Sequence, residues 1–277
     1  MISHSDADTG YYVYAVVRAQ TGRDQQVMAI DGIAPGVHVY HLIHRDLQAV
    51  VSSVSLADFG PTAIDDHLQN PNWLGDRVIA HQRVLDSLLS GFTVAPFKFC
   101  TIYASEDRVR EMLVRNEEYW IEILGRLEGA AEWGVKIFCD REVLIDWVQR
   151  TDHEITDLRN SLGQASAGAT YLLQRRIERA AQKATARVVG CCIEATTARL
   201  GALARQVVTN PVQSPEVHRR QMEMVLNAAF LVDSERLAPF RTSIKNLKSV
   251  HAAQGFQFEL TGPWPPYNFS TAVLEST

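Results

Sequence analysis

The chain has 277 residues, of which 46% are hydrophobic and 21% charged, the balance of a folded soluble protein with material for one large domain or two of ordinary size. A net charge of −5 excludes a broadly basic, phosphate-neutralising surface, so nucleic acid is not an expected partner. The opening MISHSDADTG has no basic segment followed by an apolar run, and no stretch reaches the ~18 apolar residues of a lipid-spanning helix. Neither a secretory leader nor a lipid membrane partner is expected, and the expected compartment is the cytoplasm. Cys100, Cys139, Cys191 and Cys192 agree with that reading. They lack CxxC spacing and an adjacent pair makes a poor disulfide, so all four are expected as buried reduced thiols.

In chain order, YYVYAVVR (11–18) is β-branched and aromatic and predicts a strand, and GVHVYHLIHRDLQAVVSSV (36–54) predicts a hairpin turning near Arg45-Asp46. Leu74, Val78, His81, Leu85 and Leu88 then recur at steps of four and three, which puts them on one helix face, and Gly91 closes that helix. TVAPFKFCTI (93–102) predicts a strand entered through Pro96. Ser105 N-caps a helix with Glu106 and Asp107 in its first turn, burying Val109, Met112, Leu113, Trp120 and Leu124.

After Gly129 the pattern restarts with the strand GVKIFC (134–139), and Asp140 caps a helix carrying Val143, Leu144 and Trp147. Past the linker-like GQASAG (163–168), some forty residues run on without proline and are uniformly helix-permissive. Leu173, Ile177, Ala181, Ala184, Val188, Cys191, Ala195, Ala198 and Ala202 trace a small-residue stripe, suited to close helix packing or a coiled-coil-like arm roughly 60 Å long at about 1.5 Å per residue. MEMVLNAAFLV predicts a buried strand, and Asp233 or Ser234 caps a last helix that must start late or kink at Pro239. GFQFELTG is the final strand. With a weak strand near RQVVTN the second half reads β-α-β-β-α-β, the split βαβ or ferredoxin-like plan. The expectation is an α+β protein of two domains: residues 1–127, an α+β domain, and residues 128–277, a ferredoxin-like domain with long helices over about 141–208.

The candidate chemistry is sparse. His38, His41 and His44 attract attention because imidazole is a common metal ligand, but strand alternation separates His41 from the others, and six residues along a strand span roughly 20 Å. No metal site is expected there. His81 falls on the apolar stripe, where a buried imidazole must find a hydrogen-bond partner. Asp65-Asp66 and Glu117-Glu118 read as solvated helix faces. No GxGxxG, Walker loop, GxSxG or HExxH occurs, and SLGQASAG lacks the lysine of a phosphate cradle. No catalytic, cofactor-binding or metal-binding residue is therefore assigned, and no cofactor is expected.

The most distinctive stretch is LTGPWPPYNF (260–269). Residues before proline are pushed to extended backbone, so Trp264 to Pro266 should form a stiff strap that seals the core of the C-terminal domain. The strap formally contains PxxP, but a segment welded to a core strand is badly placed to enter another domain's groove.

Together YYVYAVV, LQAVVSSV, RVIAHQRVLDSLL, WGVKIF, GATYLLQRR, MEMVLNAAFLV and FELTGPWPPYNF resemble, in order and over almost the whole chain, the gas vesicle protein F/L family (GvpF/GvpL). One departure is Cys100, where the resemblance leads one to expect a glycine. The resemblance implies a two-domain α+β protein that is a minor structural or assembly component of gas vesicles, the buoyancy shells of cells, and is not an enzyme. Its implied partners are the main shell protein and other minor gas vesicle proteins. Fold alone does not fix function, so a small-molecule enzyme centred on His81 and a coiled-coil oligomerisation scaffold stand as alternatives.

Overall fold

In the computed structural model, which describes residues 8–18, 28–163, 166–218 and 220–270, the YYVYAVV run is the centre of a sheet. Strand β1 (Thr9–Arg18) is followed by β2 (Met28–Asp31), β3 (His38–His44) and β4 (Leu47–Ser55), and Arg45 makes the expected tight turn at φ 51°. The sheet order is β2-β3-β4-β1-β5, with β5 (Val94–Pro96) and β6 (Ile102–Tyr103) both pairing to β1. Tyr12 to Val17 are fully buried without alternation, because the central strand is covered on both faces.

The β1–β4 ladder slips once, from Val13↔Val51 to Ala15↔Val50, leaving Tyr14 as an extra residue. Such a bulge re-aims side chains. Here it brings the rings of Tyr12 and Tyr14 to 4.9 Å.

Between β4 and β5 lie α1 (Leu56–Phe59), α2 (Pro61–His67) and α3 (Pro71–Leu89); after β6 come α4 (Glu106–Arg115) and α5 (Glu117–Leu127). Asn70 caps α3 through its side-chain oxygen, and the buried face of that helix is Ala80, His81, Val84, Leu85 and Leu88. Val78, expected on that face, is 44% exposed. The single strand expected over 93–102 is two short pieces, because a turn from Lys98 to Thr101 interrupts it with Cys100 at φ 62°.

The rest of the chain runs β7 (Ala130–Cys139), α6 (Arg141–Thr151), α7 (His153–Leu162), α8 (Ala167–Gly201), β8 (Gln206–Thr209), α9 (Pro215–His218), β9 (Glu223–Asp233), α10 (Leu237–His251), β10 (Phe256–Trp264) and α11 (Tyr267–Ser270). Its sheet order is β10-β7-β9-β8: the last, first, third and second strands of the expected β-α-β-β-α-β series, including the weak strand at Gln206. Asp140 and Asp152 cap α6 and α7 with their carboxylates. A short 3-10 turn at Ser234–Arg236 delays α10, which places Pro239 in its first turn, where its missing N–H is harmless.

Helix α8 has 35 residues, about 52 Å at 1.5 Å each. Its buried positions are Ala180, Ala181, Ala184, Thr185, Cys192, Thr196 and Leu200. The expected stripe is right as far as Val188 and then one residue out of phase: Cys191, Ala195, Ala198 and Ala202 are exposed. Stepping by four from Val188 follows the face, and the Thr196 hydroxyl is buried at no cost because it bonds the Cys192 carbonyl at 2.7 Å.

The chain forms two compact units: residues 1–132 with 263–277, and residues 133–262. The segment from Pro263 belongs with the first unit, and the chain therefore passes between the units twice. Gly262, at φ 120°, stands at the second passage, in a conformation that side chains disfavour.

Candidate functional site

Of the titratable groups that sequence singled out, His81 is the one used in the core. His81 is 3% exposed and lies against β1 in a ring cluster with Tyr12, Tyr14, Phe99 and Tyr267. The Cys100 amide donates to the Tyr12 hydroxyl at 3.0 Å, and that hydroxyl lies 2.9 Å from His81 Nδ1. The imidazole is assigned as the Nε2–H tautomer because that leaves Nδ1 free to accept the Tyr12 phenol proton. Nε2–H then donates to the Tyr267 hydroxyl at 2.8 Å. Burial lowers the His81 pKa to about 4 and raises those of Tyr12 and Tyr267, so all three are neutral near pH 7.

Tyr14 makes a parallel set. Its hydroxyl accepts from the Ile33 amide at 2.6 Å and donates to Ser52 at 3.1 Å, while Ser52 donates to the His38 carbonyl at 2.8 Å. A Cβ at Gly32 would lie 2.7 Å from the Tyr14 oxygen, so this corner needs glycine. An enzyme centred on His81 needs an accessible ring nitrogen; both nitrogens are engaged and the surroundings are filled with side chains.

The C-terminal strap closes this cluster. Tyr267 reaches His81, Asn268 gives its backbone and side-chain N–H groups to Glu132 at 2.9 and 2.6 Å, and Tyr119 donates to the Ser270 carbonyl at 3.0 Å. Burial pushes the Glu132 carboxyl up, against the effect of the two Asn268 donors. Pro265, Pro266, Phe269 and Ser270 are buried, whereas Trp264 is 43% exposed. The strap is thus an ordered seal, as expected, but of the N-terminal core and through Tyr267 and Phe269.

The three β3 histidines have separate surroundings. His41 Nδ1 bonds Gln48 at 2.7 Å, His44 bonds Glu117 at 3.1 Å, and His38 is exposed. Glu117, expected as part of a solvated face, also takes Arg45 through both carboxylate oxygens, and these partners hold its pKa down. Among the described residues no three His, Cys, Asp or Glu side chains group as metal ligands, and no helix is long and apolar enough to cross a membrane. The four cysteines are free thiols; Cys139 and Cys192 are buried, Cys100 is half-buried and Cys191 is exposed, contrary to the expectation that all are buried.

Open concavities lie in the second unit. One, of about 340 Å³, is a groove between α6 and α8 lined by Arg141, Ile145 and Gln149 on one wall and Glu178, Ala181, Gln182, Thr185 and Ala186 on the other. A shallower trough beside the edge strand β8 is lined by Ile193, Thr197, Ala198, Val207 and Leu226. Sequence reasoning missed the groove, although the small residues of α8 that form it were visible.

The family model for the gas vesicle synthesis protein GvpL/GvpF matches residues 10–271. Gas vesicle protein L of Streptomyces sp. (strain CB03234) is 29% identical over 95% of this chain and 94% of its own. Gas vesicle protein F of the same organism is 28% identical, over 93% and 98%. The crystal structure of the gas vesicle protein GvpF from Anabaena sp. PCC7120 superposes with a TM-score of 0.71 over 95% of this chain and 99% of that one, at 18% identity, which is a likeness of fold. With an ordered core that matches in fold and a family model that spans nearly its whole length, the chain belongs to the GvpL/GvpF family of gas vesicle proteins.

Proposed function

We propose that this protein binds the main shell protein of the gas vesicle during nucleation or growth of the shell, and so contributes to buoyancy. It acts by binding, not by catalysis. A wall that keeps water out of a gas space is built from strongly apolar subunits, which associate indiscriminately when left alone in water. A folded adaptor that holds them until they are incorporated removes that hazard.

The observation that carries the reading is the open, partly apolar surface of the second unit. Tyr171 and Leu172 are 60% and 64% exposed, and Val207 on the edge strand β8 is 38% exposed. An edge strand and an exposed helix face are the two common ways of taking up another chain. Co-purification of the tagged full chain with the main shell protein tests the proposal, and retention of the shell protein is expected. No association at micromolar concentration, with vesicles forming normally in a deletion strain, rules it out.

A further inference from the structure

Helix α8, which forms one wall of the α6–α8 groove, differs from the rest of the chain in its charge. The first unit has nineteen Asp and Glu against ten Lys and Arg, a net charge of −9; the second has thirteen against seventeen, a net of +4. Helix α8 accounts for that whole excess, with Arg175, Arg176, Arg179, Lys183, Arg187 and Arg199 against only Glu178 and Glu194. Arg175 pairs with Glu178 and Arg187 with Asp152. Arg176, Arg179 and Lys183 are exposed and have no ion pair among the described residues.

Helical phase sets these cations beside the groove. Arg175, Arg179, Gln182 and Ala186 follow at steps of four, three and four, so they form its outer rim, and Arg176 and Lys183 make the next row. Ile145, Ala181 and Ala186 give the trough an apolar lining, and the small side chains of α8 leave it about 340 Å³. Thr185 lines the same trough at 5% exposure, and its hydroxyl has no hydrogen-bond partner among the described residues. A buried donor left without an acceptor is costly, and helical Thr normally bonds its own backbone. The groove therefore offers an apolar bed, an unused hydroxyl donor and, on its α8 side, Arg179, Lys183 and Arg176, which have no ion pair among the described residues. A carboxylate complements both the hydroxyl and the cations.

We propose that the α6–α8 groove docks an acidic amphipathic helix of another gas vesicle protein, with the apolar ridge of that helix in the trough and its Asp or Glu flank on Arg179 and Lys183. Two helix walls, of which α8 presents the small side chains of Ala181, Thr185 and Ala186, accept a third helix by ridge-into-groove packing. The partner's mid-helix backbone is already satisfied, so its side-chain carboxylates meet the Thr185 hydroxyl and the rim cations. This deepens the binding role proposed above, and rests on it, by assigning the surface and the chemistry of what it holds.

The test uses the full chain and two probes: the co-expressed main shell protein, and a synthetic amphipathic peptide with a Leu/Ala face and a Glu flank, read by fluorescence anisotropy. The double variant R179E/K183E reverses the rim charge, and Ala186→Trp fills the trough without changing charge; all three positions are exposed, so the fold should be retained. Each variant is expected to weaken peptide binding at least tenfold, and the charge effect should fall steeply with salt. Absence of peptide binding by the unaltered chain, or unchanged affinity in either variant, overturns the proposal. So does equally tight binding of phosphatidylserine vesicles or a single-stranded oligonucleotide that depends on Arg179 and Lys183 but not on Ala186, which marks a general polyanion surface. If the variants retain the shell protein as the unaltered chain does, the groove assignment fails while the binding role stands. If the unaltered chain retains none, the binding role fails.

Discussion

The two units solve the burial of polar groups in opposite ways. The first sinks Tyr12, Tyr14 and His81 into its centre and satisfies them with one another, with backbone and with the strap. The second buries mainly aliphatic residues and Phe138, Phe230, Phe240, Phe256 and Phe258, and its buried Thr196 bonds within its own helix. A network linking distant segments makes the first unit depend on every member, because removing one leaves the others desolvated and unpaired. A locally satisfied hydroxyl carries no such liability. The contrast is one of interior construction, since both units expose large apolar side chains, Ile79 and Val114 on the first as well as Tyr171 and Leu172 on the second.

The largest effect is expected at His81. Replacing it with Ala empties a ring-sized space and orphans the Tyr12 hydroxyl, so unfolding in urea should show a loss of about 3–5 kcal/mol. A loss below about 1 kcal/mol would remove the network from any structural role. The same residue gives a pH dependence. Its folded pKa, about 4, lies below the free value of 6.5, so the unfolded chain binds the proton more readily between those values. This contribution to stability is complete above pH 6.5 and is lost as pH falls toward 4, by about 3 kcal/mol in all. His41, whose pKa burial also lowers, adds in the same direction, while Glu132, raised by burial, opposes. Both remain in His81→Ala, so the difference between the two proteins' stability-versus-pH curves isolates His81, and parallel curves would contradict its neutral burial.

Much of this was legible in the chain. The β1 run, the hairpin at Arg45, the caps at Ser105 and Asp140 and the β-α-β-β-α-β order of the second unit all follow from periodicity and terminal chemistry, which are local signals. What was not legible depends on tertiary contact. His81 was placed on a buried face by its spacing, but its partners lie 69 and 186 residues away, and no local pattern names them. The strap was recognised as ordered, yet the extended backbone that proline imposes says nothing about which core receives it. The groove escaped notice because Ala181, Thr185 and Ala186 announce close packing equally well whether the partner helix is their own or another chain's. Cys100 shows the limit from the other side: the resemblance led one to expect glycine, and the backbone there is left-handed at φ 62°, yet a thiol side chain occupies it.

The strap offers a smaller and sharper comparison. Tyr267→Phe keeps the ring and deletes the acceptor of His81 Nε2–H, which should cost about 1–2 kcal/mol. Trp264→Ala removes a larger side chain that is 43% exposed, and should cost less than about 1 kcal/mol. Equilibrium unfolding of the two variants orders them, and a costlier Trp264 would return the weight of the strap to its first aromatic.

The smallest effect belongs to the second unit. Thr196 is fully buried, and a buried hydroxyl might be thought as critical there as in the first unit; but its bond is to the Cys192 carbonyl one turn back, at 2.7 Å, an oxygen already placed to accept a helix N–H. Thr196→Val replaces the hydroxyl by a methyl of similar volume, removes the buried donor, and leaves behind an acceptor that retains its helix bond. The gain from burying apolar surface and the lost side-chain bond then nearly offset, so stability should change by less than about 0.5 kcal/mol. Set beside Tyr267→Phe, which also deletes one hydroxyl oxygen, the pair measures whether hydroxyls that join distant segments matter more than those that serve their own helix. Equal losses in the two variants would mean that the units are built alike and that the polar centre of the first holds no special share of its stability.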